Sequence, residues 1–219
     1  MLVIGIYGAF ELANYGEDQA RKRAEIEILK GCRTELLADL QDIELNISDL
    51  QKSLHSLNLL VDVLEGNGRY HDSLSLHFNY ALLPMHFVHS TSSFEMLKSR
   101  GLDLVSNKGL RASLVSLYDS QYDFFLAGEA EELAEVQYGM RHVYPGRFEA
   151  GYDFRGPTFE GTLIPLDFEA LKKDLKYLYF LKTQKNRTRS YLGFFYANLR
   201  KSVVAMIAEL DAELARLAP

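Results

Sequence analysis

From Leu36 to Leu64 apolar residues recur at Leu36, Leu40, Ile43, Ile47, Leu50, Leu54, Leu57, Val61 and Leu64. The steps alternate four and three, the seam of a helix packed lengthwise on another helix. At 1.5 Å per residue that seam alone spans roughly 43 Å. A helix entering at the basic cluster Arg21, Lys22, Arg23 continues into the seam, and Gly66-Asn67-Gly68 offers the positive-φ residues that end it.

A short second helix is expected over Asp72 to Leu83, stopped by Pro84, which pushes the residue before it out of the α region. His86 to His89 reads as extended. Ser92 and Glu95 have capping-box spacing ahead of Met96 and Leu97, and Gly101 supplies the stop. The next helix takes its apolar face from Leu110, Leu114, Leu117, Phe124, Phe125, Leu133, Val136 and Met140. Pro145 to Pro165 carries glycines, prolines and aromatics and no helical period, which leaves a long loop or a small hairpin about Arg155-Gly156-Pro157. Leu171, Leu175 and Leu178 open a last seam that Leu192, Phe195, Leu199, Val203, Met206 and Leu210 resume, with polar Lys182 to Ser190 between them as a hydrated bend or a helix–helix contact. The pattern predicts an all-α fold: an elongated bundle of three long helices, about 17–66, 108–144 and 167–217, plus short helices, a Gly/Pro-rich loop and an apolar N-terminal helix.

The start of the chain, residues 1–15, changes the picture. It is apolar but shorter than the roughly 20 residues that cross a bilayer, and Glu11 interrupts it. It has no basic leader segment or cleavage site of a signal peptide. It reads either as a buried amphipathic helix or as the later half of a transmembrane helix. Arg21, Lys22 and Arg23 follow closely and would face anionic lipid, and their sign favours the cytoplasmic side.

Composition adds bounds. The 219 residues are 47% hydrophobic with net charge −6, a globular balance that argues against nucleic acid as a partner. The single cysteine, Cys32, excludes an internal disulfide and reads as a small core side chain. His86 and His89 are three apart and are the one metal-ligand candidate, but Pro84 disfavours a helix there and no glutamate completes a zinc-protease pattern. Glu129, Glu131, Glu132 and Glu135 read as a solvated helix face. No nucleophile triad, phosphate loop or dinucleotide fingerprint is present, so no catalytic residue and no cofactor is expected.

The stretch Phe94-Glu-Met-Leu97-Lys98-Ser99-Arg-Gly101-Leu-Asp-Leu104-Val105-Ser-Asn107-Lys-Gly-Leu110-Arg111, followed by Tyr118, resembles the central motif of a bacterial family of membrane-anchored proteins (domain of unknown function 6090). The apolar start with Asn14, Tyr15 and Glu17, then Arg21 to Arg23, resembles the second half of that family's membrane helix and its exit. The resemblance implies a single-pass anchor in the bacterial inner membrane and a helical body. It offers no catalytic residues to carry over, and Phe94, Leu97, Gly101, Asn107, Leu110 and Arg111 are expected to be structural. The family's helix is already half across the membrane where this chain begins, so either the start is truncated or this member has lost the anchor, and truncation is the expectation. The function expected is a non-enzymatic, membrane-anchored module with an interaction or signalling and scaffold role, one that binds an unidentified protein partner or relays a signal, and the seam also permits self-association. The alternative is a small-ligand-binding or hydrolytic helical domain that uses 145–165 as a lid.

Overall fold

A computed structural model describes residues 2–66, 68–153 and 160–218, with side chains for 14–66, 68–151 and 161–218. The chain is mostly helical and falls into two compact units. One comprises Met1–Asp42, Val88–Asp123 and Arg200–Pro219; the other comprises Ile43–Phe87 and Phe124–Leu199. No proline occurs before Pro84, and helix α1 runs from Leu2 to Glu65 without a break.

In the first unit α1 is joined by α3 (Ser92–Arg100), a 3₁₀ turn at Leu102–Leu104, α4 (Lys108–Ser116), a π-helical turn at Leu117–Tyr122, and the part of α8 (Ala197–Leu217) from Arg200 onward. Leu29, Cys32, Leu36, Phe94, Leu97, Leu114, Val203 and Leu210 are buried in it. The corner between α3 and α4 follows from local chemistry. Gly101 ends α3 at φ 101°, a conformation that costs a side-chain-bearing residue. Asn107 then caps α4 by accepting from the amides of Gly109 and Leu110.

In the second unit the later part of α1 meets α2 (Leu74–Tyr80), α5 (Asp123–Tyr138) with a π-helical turn at Gly139–Val143, α6 (Phe168–Leu171) and α7 (Leu175–Ser190) with a π-helical turn at Tyr191–Tyr196. Leu57, Leu60, Leu64, Phe78, Tyr144, Tyr177 and Leu181 form its core. Strands β1 (Phe148–Asp153) and β2 (Glu160–Pro165) pair antiparallel, Phe148 with Pro165 and Ala150 with Leu163. Phe148 stacks on Tyr144 and Leu163 is buried, while Ile164 on the opposite face is exposed.

Several expectations change. The fold is not purely helical, because 145–165 contains this hairpin; the connection at Arg155-Gly156-Pro157 lies outside the described residues. The second helix is shorter than Asp72 to Leu83. The run from Asp167 breaks at Lys172 to Asp174, where Asp174 starts a new helix by accepting from Tyr177 N–H and pairs with Arg147 at 2.7 Å. The capping box does not form. Thr91 is the N-cap without a side-chain bond, the Glu95 amide donates to the Thr91 carbonyl while its carboxylate turns to Lys98, and Glu35 of α1 takes the Ser93 amide. Lys182 to Ser190 is helical and a contact rather than a bend: Gln184 and Thr188 are buried, Arg187 pairs with Glu132, and Lys182 pairs with Glu65. No helix among the described residues is long and apolar enough to cross a membrane. The side chains of residues 1–13, on which the anchor expectation rests, lie outside the described set.

Candidate functional site

Every residue of the predicted seam is buried or half-buried, with Leu36, Ile43, Leu57 and Leu64 the most enclosed. One position before it runs a second stripe at the same four-three-four spacing, Glu35, Asp39, Asp42 and Asn46, and this one is polar. Each member faces backbone groups that no helix or strand satisfies.

In the first unit the Ser93 amide donates to Glu35 at 3.1 Å and its hydroxyl at 2.8 Å. The Ser90 amide donates to Asp39 at 3.1 Å, and the Val88 amide to Asp42 at 3.0 Å. Further along, the Ser106 amide and hydroxyl donate to buried Glu25 at 2.7 and 2.9 Å. Asn107 donates to Glu213, which also holds Arg216 at 2.6 Å. In the second unit Asn46 donates to the His86 carbonyl at 3.2 Å, and the Phe87 amide donates to buried Glu129 at 2.6 Å. The chain from His86 to Ser93 thus has amides held by carboxylates, a role that a neighbouring strand fills elsewhere. Glu129 is therefore not on a solvated face, and Glu132 is shielded beside Arg187.

The most enclosed of these groups is Asp39, 1% exposed, which also accepts from the Tyr122 hydroxyl at 2.6 Å. Burial pushes its carboxyl above the usual range, opposed by the Tyr122 and Ser90 donors. Burial, reinforced by Asp39, drives the Tyr122 phenol far upward, and burial does the same to Tyr118. The Cys32 thiol is pushed up to about 12 by burial and then by Glu35. At neutral pH both phenols and the thiol keep their protons, so none of the three is poised as a nucleophile.

The histidine pair is not brought to one site. His86 is exposed, with Nδ1 3.4 Å from Glu129; His89 sets its ring edge-on to Tyr122. Among the described residues no group of three His, Cys, Asp or Glu is placed to hold a metal ion. Of the motif residues, Phe94 stacks on Tyr118 at 4.6 Å with Lys98 over its ring, Leu97 and Leu110 are buried, and Gly101 and Asn107 form the corner. The Arg111 Nε is enclosed and has no hydrogen-bond partner among the described residues. In the basic cluster Arg21 donates to the Asp103 carbonyl and carboxylate at 2.6 and 2.8 Å, Arg23 donates to the Gln19 carbonyl, and Lys22 is half-buried.

The second unit contains a groove of about 460 Å³ bounded by α5 and its π-helical turn, the residues that follow α2, and the hairpin. Its α5 side is the stripe Leu133, Val136, Gln137, Met140 and Arg141, spaced as one helix face. Leu133 and Met140, expected in the core, are 38% and 43% exposed because this face is only partly covered. The hairpin comes close at Gly161, where a Cβ would lie 2.7 Å from the Asn79 side-chain oxygen.

Sequence reasoning missed Glu25, Glu35, Asp39, Asp42, Tyr122 and the groove. The polar stripe was the available signal, since its period matches that of the apolar seam beside it. Comparison of the chain with protein-family models, with curated proteins and with solved structures finds no match.

Proposed function

We propose that the chain is a non-enzymatic helical module, held at a membrane through its N-terminal segment, that acts by binding a protein partner. One observation carries the non-enzymatic part. The enclosed carboxylates Glu25, Asp39, Glu129 and Glu213 all accept hydrogen bonds from groups of the chain itself. General acid–base work needs a carboxyl within reach of a substrate proton, and none of these four is among the residues that line the groove. Support for the membrane comes from the apolar sequence at residues 2–10 on a helix that continues into Arg21, Lys22 and Arg23. Alkaline carbonate extraction of bacterial membranes carrying the full chain tests this: retention in the pellet is expected, and complete release would overturn the anchor.

The groove favours a second reading, a small-ligand-binding helical domain. Its volume falls within the roughly 300–1,000 Å³ of small-molecule sites, and its lining is apolar with few polar groups. The hairpin, rather than a structureless lid, forms one of its walls.

A further inference from the structure

We infer that the groove of the second unit binds a slim amphipathic monocarboxylate, its apolar body along Leu133, Val136 and Met140 and its carboxylate on Arg141. The inference rests on the small-ligand reading and names the ligand class.

The apolar part follows from the lining. Leu133, Val136 and Met140 form one wall, with Leu82 and Leu163 also at the groove. Leu133 and Met140 keep more than a third of their surface in solvent although three apolar residues of one helix face meet there. Such a face gains by being covered, by about 25 cal/mol for each Å² of apolar surface removed from water.

The charge follows from the other end of the same stripe. Among the described residues that line the groove Arg141 is the charged one, and no described carboxylate pairs with it. A planar guanidinium holds a carboxylate through two parallel hydrogen bonds, a geometry that an alcohol cannot match and an ammonium group opposes. Gln137, one turn back on the same face, supplies an amide beside it. A single cation suits a single negative charge, and an apolar wall of two helical turns, roughly 11 Å, suits a chain of about eight carbons.

The test uses the full chain with octanoate as probe, octanol and octyltrimethylammonium as comparators, and the Met140 methyl resonance as a site-resolved readout. Arg141 and Leu133 are both exposed, so Arg141→Gln and Leu133→Trp are compatible with the fold, and amide spectra verify this. We expect a saturable octanoate-induced shift of the Met140 methyl, at least tenfold weaker in Arg141→Gln and lost in Leu133→Trp, where the indole fills the groove. Octanol should bind at least tenfold more weakly than octanoate. If octanol or the cation binds as well as octanoate, the site stands and the assignment to a carboxylate fails. If none of the three shifts Met140, the small-ligand reading fails with it. An octanoate response unchanged in both variants would equally overturn the inference.

Discussion

Tyr118 and Tyr122 lie in one π-helical turn with rings 5.3 Å apart, yet their hydroxyls have opposite fates. The Tyr122 hydroxyl donates to Asp39, whereas the buried Tyr118 hydroxyl has no hydrogen-bond partner among the described residues. A hydrogen bond to a charged group contributes about 1.5–3 kcal/mol, and a buried orphan hydroxyl costs about 1–3 kcal/mol. Tyr122→Phe should therefore lower unfolding free energy by about 2 kcal/mol, while Tyr118→Phe should leave it unchanged or raise it by up to about 1 kcal/mol. Urea titration of the two variants checks this, and equal losses would contradict it. At this scale the sequence was half legible. Leu36, Ile43 and Leu50 announced their burial by period. Asp39 did not, because a carboxylate on a helix reads as solvated until the amides it serves are located, and those come from residues about fifty positions away.

Elements were most legible where their signals are local. The stop at Gly101 was read from that glycine alone; the Asn107 cap and the Asp167 cap, which accepts from the Ala170 amide, are equally local but were not read. The start of α3 and the helix that Asp174 opens have partners distant in sequence, Glu35 on the Ser93 amide and Arg147 on the Asp174 carboxylate. Hairpin strands of six residues punctuated by glycine gave no clear alternation. Asp174 also gives a pH test. Its hydrogen bond to Arg147 holds its carboxyl below the usual value, so between the folded value and about pH 4 the unfolded chain binds more protons. Its contribution is full above pH 4 and fades as pH falls through that window. Asp174→Asn keeps the cap while removing the charge. The stability difference from the parent should be present at pH 7 and shrink below pH 4; a difference that stays constant to pH 3 would contradict the pairing.

For the whole chain, the long helices were readable from the apolar period, but their division into two units was not, because α1 carries one uninterrupted seam through both. Leu50, 4% exposed, belongs to the second unit. Leu50→Asp would bury a charge without a partner, one of the changes that cost about 4 kcal/mol or more. We expect lost helicity and a large fall in Tm by circular dichroism; a wild-type melting curve would show that the seam is not buried. In this account the enclosed carboxylates Glu25, Asp39 and Glu129 serve the chain's own backbone and not a reaction. Amide hydrogen exchange measures this most directly at Phe87, Val88, Ser90, Ser93 and Ser106. Their hydrogen-bond acceptors are side-chain carboxylates from distant parts of the sequence. These five amides should be strongly protected, with Ser90 losing protection selectively in Asp39→Ala and Phe87 in Glu129→Ala. Exchange at the rate of an open coil in the unaltered chain would contradict the account and leave those carboxylates free for chemistry.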